Sequence, residues 1–285
     1  MSSDPKIGIA LGGGAARGLT HIPFMEAMDE LGLQPAQIAG TSIGALLGAV
    51  WASGYRGSEV REFAHEYVGS LRSIMGRIWS TRLKTLSSVL KNSMTMQLDA
   101  LEVMKSFVPE DLPQQFDELK TPLYTVSTDF NTWHQVVHHH GELHRAIAAS
   151  IAIPSAFKPV EFNGRLLVDG GVVNPLPLDI ASRGADILIG IDVNGSPADV
   201  VPEQEPSLID VAIGSGQILM HGLISHNLAA FPPDIYVRPH VRDVGALEFW
   251  KVKDIIKSGD DDKEMFKRKL AEKVEAFIAG QQKNP

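Results

Sequence analysis

The stretch IAGTSIGALLGA, residues Ile38 to Ala49, sets a serine between two glycines and then runs straight into small apolar residues. Gly40-Thr41-Ser42-Ile43-Gly44 fits the pattern G-x-S-x-G, with a short apolar piece before it and helix-forming small residues after it. A strand that turns sharply into a helix forces the serine into a strained backbone conformation, and side chains on its neighbours would collide, so Gly40 and Gly44 make room. The helix that starts near Ala45 aims its first amides towards the serine and favours negative charge there. The same five residues also read as a glycine-rich turn with an N-capping serine, because Ser is a good cap and short patterns recur by chance. Segments elsewhere in the chain have to separate the two readings.

On either side of this unit, apolar runs alternate with helical patterns. Lys6 to Leu11 and Ile187 to Val193 read as buried strands, with shorter candidates at Leu123 to Ser127, Gln135 to His138, Leu166 to Val168 and Ile235 to Val237. Helical spacing covers Phe24 to Leu31, Ala45 to Ser53, Ser58 to Val68, Leu143 to Ser150, Leu178 to Arg183 and Leu208 to Asn227, and Lys263 to Ala279 reads as a charged terminal helix. This alternation predicts an α/β protein, a three-layer α/β/α arrangement around a mainly parallel sheet. The 285 residues, 44% of them apolar, suffice for one such domain, with residues 195–285 completing the fold. The acidic, proline-bearing segment Asp199 to Pro206 reads as an exposed loop.

Composition narrows the function classes. With 26 basic and 34 acidic residues the chain carries a net charge of −8, which argues against general affinity for nucleic acid or anionic lipid. The absence of cysteine removes disulfides, thiol nucleophiles and cysteine metal sites. The segment MSSDPKIGIALGGG lacks a signal-peptide pattern, and no stretch reaches the ~18 apolar residues of a membrane span. The expectation is a cytoplasmic protein whose membrane contact, if made, is local and peripheral at the inner surface.

Directly after the first strand comes LGGGAARG, Leu11 to Gly18. A Walker A loop would end in G-K-[ST], where this chain has Arg17-Gly18-Leu19, and a dinucleotide fingerprint fails at Arg17 in one register and at Ala15 in the other. Consecutive glycines after a strand can also aim several backbone N–H groups at one point, as an acyl-transfer site requires around its oxyanion; losing one such donor costs about 3 kcal/mol of transition-state stabilisation. A plain strand-to-helix turn remains the alternative. Further along, LLVDGGVVNPL, Leu166 to Leu176, ends an apolar strand on Asp169, at the edge where α/β sheets gather their sites, although an Asp-Gly turn accounts for the same letters.

LGGGAARG, GTSIG, AASIAIPSAFKPV (Ala148 to Val160) and VDGGVVNPLP (Val168 to Pro177), in that order, resemble the patatin-like phospholipase family over residues 6–194. The resemblance implies a serine–aspartate dyad, with Ser42 as nucleophile and Asp169 as its base. It implies an oxyanion hole in the amides of Gly12, Gly13, Gly14 and Ala15, with Arg17 and Gly18 supporting that loop. Many family members carry glycine where this chain has Ala15; alanine fits there if its φ is negative. The implied activity is hydrolysis of phospholipid or lysophospholipid esters through an acyl-enzyme, without cofactor or metal. Thioesterase or general carboxylesterase action, or fatty-acid binding without turnover, are the alternatives.

A free aspartate near pKa ~3.9 is a weak base towards a serine hydroxyl, and burial that raises it by about two units improves its proton affinity while leaving it mostly ionised at pH 7. The rival is a triad ending in histidine, for which His221, His226 and His240 lie downstream of Asp169, each more simply read as structural or surface. His138, His139 and His140 read as a solvated turn rather than a metal site, and His21 as packing beneath the glycine loop. Val68 to Leu98 holds no acid but carries Arg72, Arg77, Arg82, Lys84 and Lys91 among apolar residues at helical spacing. It reads either as a helical lid over 68–107 that meets lipid headgroups or as a core-packed helical pair, and Met94, Met96 and Met104 read as core filling before acyl pocket. The sequence leaves the oligomeric state open.

Overall fold

The computed structural model describes residues 4–66, 98–195, 208–241, 244–245 and 248–282. The basic segment of 68–98, with Met94 and Met96, therefore lies outside the described residues except at its last position, and so does the acidic loop of 199–206.

The described elements run β1 (Ile7–Leu11), α1 (His21–Glu30), β2 (Gln37–Thr41), α2 (Ile43–Ala52), α3 (57–66), α4 (Ala100–Lys105), β3 (Leu123–Asp129), β4 (Gln135–His138), α5 (Leu143–Ser150), β5 (Val160–Phe162), β6 (Arg165–Asp169), α6 (Leu178–Ala181), β7 (Ile187–Ile191), α7 (Leu208–Ala230), β8 (Ile235–Val237) and α8 (Val252–Gln282). Hydrogen bonds link the strands in the order β5-β6-β3-β2-β1-β7-β8, with β4 also on β3. The five strands from β3 to β8 along this path are parallel, while β4, β5 and β6 pair antiparallel.

Strand periodicity explains the layers. Side chains alternate between the faces of a strand. Ile7, Ile9, Leu11, Ile38, Ile187, Ile189 and Ile191 accordingly enter a large core with α1, α2, α5 and α8. Ala10, Ala39 and Leu188 point the other way and pack with Leu178, Ile180 and Ala181 of α6 and Ile224 of α7. The central strands are covered on both faces, which is why they read as continuous apolar runs.

Pairing along β3 brings distant parts of the chain together. Thr125 and Val126 face Gly40 and Thr41 of β2 while also facing β4, so β2 and β4 occupy opposite edges of β3. Ser127 and Thr128 face Asp169 and Val168 of β6 while also facing β4. By the same logic β6 shares the edge taken by β2. Two strands therefore meet end to end along one edge of β3, and the residue leaving β2 and the last residue of β6 come together. Those residues are Ser42 and Asp169.

Three readings of the sequence change. β5 was not expected; it forms a hairpin with β6 across Asn163 and Gly164, both at positive φ (51° and 73°), the signature of a primed two-residue turn. Helix α8 begins at Val252, eleven residues before the expected start, because Val252, Ile255 and Ile256 bury an apolar stripe ahead of the charged part. His138 is not on a solvated turn: it is buried on β4, its Nε2 2.7 Å from Ser127 Oγ and its ring stacked on Phe162. Met104 is fully buried in the larger core.

Candidate active site

Ser42 stands between β2 and α2 with φ 54° and ψ −123°, a left-handed conformation that side chains rarely adopt. Its surroundings hold it there. The Ser42 N–H donates to Ser150 Oγ at 2.9 Å, and that hydroxyl donates onward to Val126 O at 2.6 Å, tying the elbow to α5 and β3. A Cβ on Gly44 would lie 2.2 Å from Leu11 O, and one on Gly40 2.5 Å from Gly44 O, so the turn closes only with glycine at both positions.

The Ser42 hydroxyl donates to Asp169 Oδ2 at 2.6 Å. The other carboxylate oxygen, Oδ1, accepts from Gly171 N–H at 2.7 Å, and the Asp169 main chain is pinned by Thr128 Oγ1 to its carbonyl and by its own N–H to Ala152 O. Both side chains are buried. Burial pushes the Asp169 carboxyl up to about 6, partly offset by the hydrogen bonds from Ser42 and Gly171, because removing a carboxylate from water penalises its charged form. Such a group is a better proton acceptor than a solvated aspartate and is still mostly ionised at pH 7.

The glycine loop sits against this pair: a Cβ on Gly13 would lie 3.3 Å from Ser42 Cβ. Its amides divide into two sets. Gly12 N–H donates to Ile191 O and Gly13 N–H to Pro175 O, so these two of the four expected donors are engaged within the fold. Among the described residues no acceptor takes the amides of Gly14 and Ala15, and both residues line the cleft beside Ser42. Ala15 has φ 50°, not the negative value that would suit alanine; it opens a short 3-10 turn, Ala15–Thr20, and holds this conformation at a cost of order 1 kcal/mol.

The loop is held from beneath. His21 is fully buried, its Nε2 2.9 Å from Gly12 O, and burial lowers its pKa to about 4, so it is neutral and donates through Nε2. Arg17, also buried, donates to Asn194 O at 3.4 Å. A Cβ on Gly18 would lie 2.1 Å from Ile43 Cγ2, which lets the loop pack on α2. Among the described residues no histidine is bonded to Ser42 or Asp169; His221, where a triad could have drawn its base, contacts Arg238 instead.

A cleft of about 220 Å³ opens over the pair, walled by Ile153, Val172, Leu219 and Met220 beside the glycine loop. The contribution of α7 is the part that reading the sequence missed: its helical pattern is plain, but nothing in the pattern says that Gly216, Gln217, Leu219 and Met220 face this cleft. Ser150 and Asn174 were missed as well. Asn174 O accepts from Thr41 Oγ1, and its side-chain amide joins Gln135, Asp179 and Asn227, linking the loop after Asp169 to β2, β4, α6 and α7.

Fold and site together define an α/β protein in which a serine on a strained strand-to-helix turn is bonded to a buried aspartate beneath a glycine loop. The chain belongs to the patatin-like phospholipase family, whose model matches residues 9–182. It is 36% identical over 209 residues to an uncharacterized NTE family protein of Mycobacterium tuberculosis, covering 73% of this chain and 54% of that protein. It is 26% identical over 298 residues to lysophospholipase NTE1 of Candida glabrata (95% of this chain, 16% of that protein). With patatin-like phospholipase domain-containing protein 6 of Homo sapiens it shares 32% identity over 190 residues (66% and 13%). The chain thus spans about half the length of the mycobacterial relative and a smaller share of the others.

Proposed function

We propose that this chain hydrolyses carboxylic esters of phospholipids or lysophospholipids, with Ser42 as nucleophile and Asp169 as general base. The observation that carries this reading is the 2.6 Å hydrogen bond from Ser42 Oγ to a buried Asp169 Oδ2 whose pKa is pushed up to about 6, at the floor of an apolar-walled cleft. Relatives named as a lysophospholipase and as a patatin-like phospholipase domain-containing protein support the choice of substrate class.

Ser42 Oγ attacks the ester carbonyl carbon as its proton passes to Asp169, and the carbonyl electron pair moves onto oxygen. The amides of Gly14 and Ala15 donate to that oxyanion, and each such donor is worth about 3 kcal/mol in comparable sites. The tetrahedral species collapses, the carbon–oxygen bond to the alcohol breaks, and Asp169 returns the proton to the departing oxygen. Water then attacks the acyl-enzyme, Asp169 accepting its proton and passing it to Ser42 as the fatty acid leaves. Two features support a base that is not histidine: Asp169 has the raised proton affinity the step requires, and its Oδ1 bond to Gly171 keeps Oδ2 aimed at the hydroxyl.

The test is labelling with a fluorophosphonate probe alongside hydrolysis of phospholipid, lysophospholipid and acyl-CoA. Wild type is expected to label and to cleave the oxygen esters faster than the thioester, Ser42→Ala to do neither, and Asp169→Asn to lose most of both. Persistent labelling of Ser42→Ala removes that serine from the mechanism; a preference for acyl-CoA reassigns the substrate class.

A further inference from the structure

Met220, on α7, reaches the glycines beside the reacting pair. From the point where a side chain on Gly171 would begin, its Cε lies 3.0 Å away and its Sδ 3.3 Å; from the equivalent point on Gly13 its Cε lies 3.6 Å away. Gly171 donates to Asp169, and the Gly13 point is itself 3.3 Å from Ser42 Cβ. The thioether therefore crowds the position of a side chain on Gly171, beside the carboxylate, and lies in van der Waals contact range of the one on Gly13, beside the hydroxyl. Leu219 and Val172, each lining the cleft and about half or more exposed, continue the same apolar wall outward.

From this geometry we infer that Met220 is a specificity-determining residue: it admits unbranched acyl chains to Ser42 and excludes acyl groups branched beside the carbonyl. The inference rests on the hydrolase reading above and names the acyl class that reading leaves open. An acyl group bonded to Ser42 Oγ, with its carbonyl oxygen at Gly14 and Ala15, would carry its next carbon into the cleft that Gly171 and Met220 line with them. A straight chain needs one methylene of clearance there and can follow the wall along Leu219. A branch needs a second carbon on the same atom, where the thioether stands. Methionine has three rotatable bonds and yields more readily than a branched or aromatic residue would, so the exclusion is graded. A single methylene in an apolar pocket typically discriminates by about 10- to 200-fold.

The experiment measures kcat/KM for p-nitrophenyl hexanoate and p-nitrophenyl 2-methylhexanoate in wild type, Met220→Ala, Met220→Leu and Met220→Phe, each pair reduced to a branched-to-straight ratio so that altered folding yield cancels. Wild type is expected to favour the straight ester. Met220→Ala should raise the ratio by about tenfold, and Met220→Leu and Met220→Phe, which yield less than methionine, should lower it. A ratio in Met220→Ala equal to that of wild type, with turnover that still depends on Ser42, overturns the inference and leaves the hydrolase reading standing. Absence of turnover in wild type, or turnover that survives Ser42→Ala, overturns both.

Discussion

Asp169 gains its chemistry from where it is buried rather than from what it is. A solvated aspartate would be a poor acceptor for a serine proton; enclosed beside Ser42 and bonded to Gly171 N–H, it stands at about 6. Because the proposed mechanism uses the ionised form, kcat/KM for a soluble ester should rise about tenfold per pH unit below that value and level off above pH 7. Asp169→Asn should lack this limb and turn over about 10²- to 10⁴-fold more slowly. A pH–rate profile of the two proteins checks both, and a limb in wild type centred well above pH 7 would point to a different base. Neighbouring residues set the geometry: Ser150 fixes the Ser42 amide, His21 the carbonyl of Gly12, and Asn174 the hydroxyl of Thr41.

At the scale of elements, the turn from β2 into α2 depends on close approach and α7 does not. A Cβ on Gly44 would collide with the carbonyl of Leu11 and come within 2.8 Å of Gly12 O, both backbone atoms that cannot step aside. Gly214, on α7, has open space where a Cβ would go. Gly44→Ala should therefore cost more than about 3 kcal/mol or prevent folding, as overpacking against fixed backbone does. Gly214→Ala should stabilise by about 0.5–1 kcal/mol through helix propensity. Urea unfolding monitored by circular dichroism measures both; a destabilised Gly214→Ala would mean that α7 uses that glycine for something other than helix geometry.

Elements also differ in how openly the sequence announced them. β1, β7 and α5 were legible from period and length alone, since buried parallel strands and amphipathic helices leave strong patterns. β5 was not, although Asn163-Gly164 carried the turn signal, because three residues are too few to show alternation. The start of α8 was obscured by a glycine and an acidic run between its apolar stripe and its charged part.

For the molecule as a whole, the site is held at a cost in stability that depends on pH. The folded-state pKa of Asp169, about 6, lies above its ordinary value of 3.8, so the native state binds the proton more tightly than the unfolded chain. The contribution is fully present below about pH 4 and is lost as pH rises through 6, leaving the ionised, buried carboxylate a liability of roughly 3 kcal/mol above pH 7. Asp169→Asn, which keeps the shape without the charge, should thus be more stable than wild type at pH 8, by up to that amount, and should show little gain at pH 4. Thermal unfolding at the two pH values tests this, and a variant less stable than wild type at pH 8 would show that the Gly171 bond outweighs the buried charge. The cost is carried by a large core and by ion pairs that clamp α8 to the body, where Arg61 bridges Glu26 and Asp260 and Lys263 reaches Glu26 and Glu30.

By itself the sequence determined the alternation of strands and helices and the glycines that a sharp strand-to-helix turn requires; it marked residues 42 and 169 as candidates, and their roles as nucleophile and base came from the family resemblance. These are local properties, written in spacing and side-chain size. Only the tertiary structure decided that β2 and β6 share one edge of β3 and so deliver those residues to each other, that Gly14 and Ala15 rather than Gly12 and Gly13 keep their amides open, and that α7 supplies Met220 to the cleft. Those outcomes depend on hydrogen-bond partners and neighbours far apart in the chain, and no local pattern records which of them a given N–H or side chain will meet.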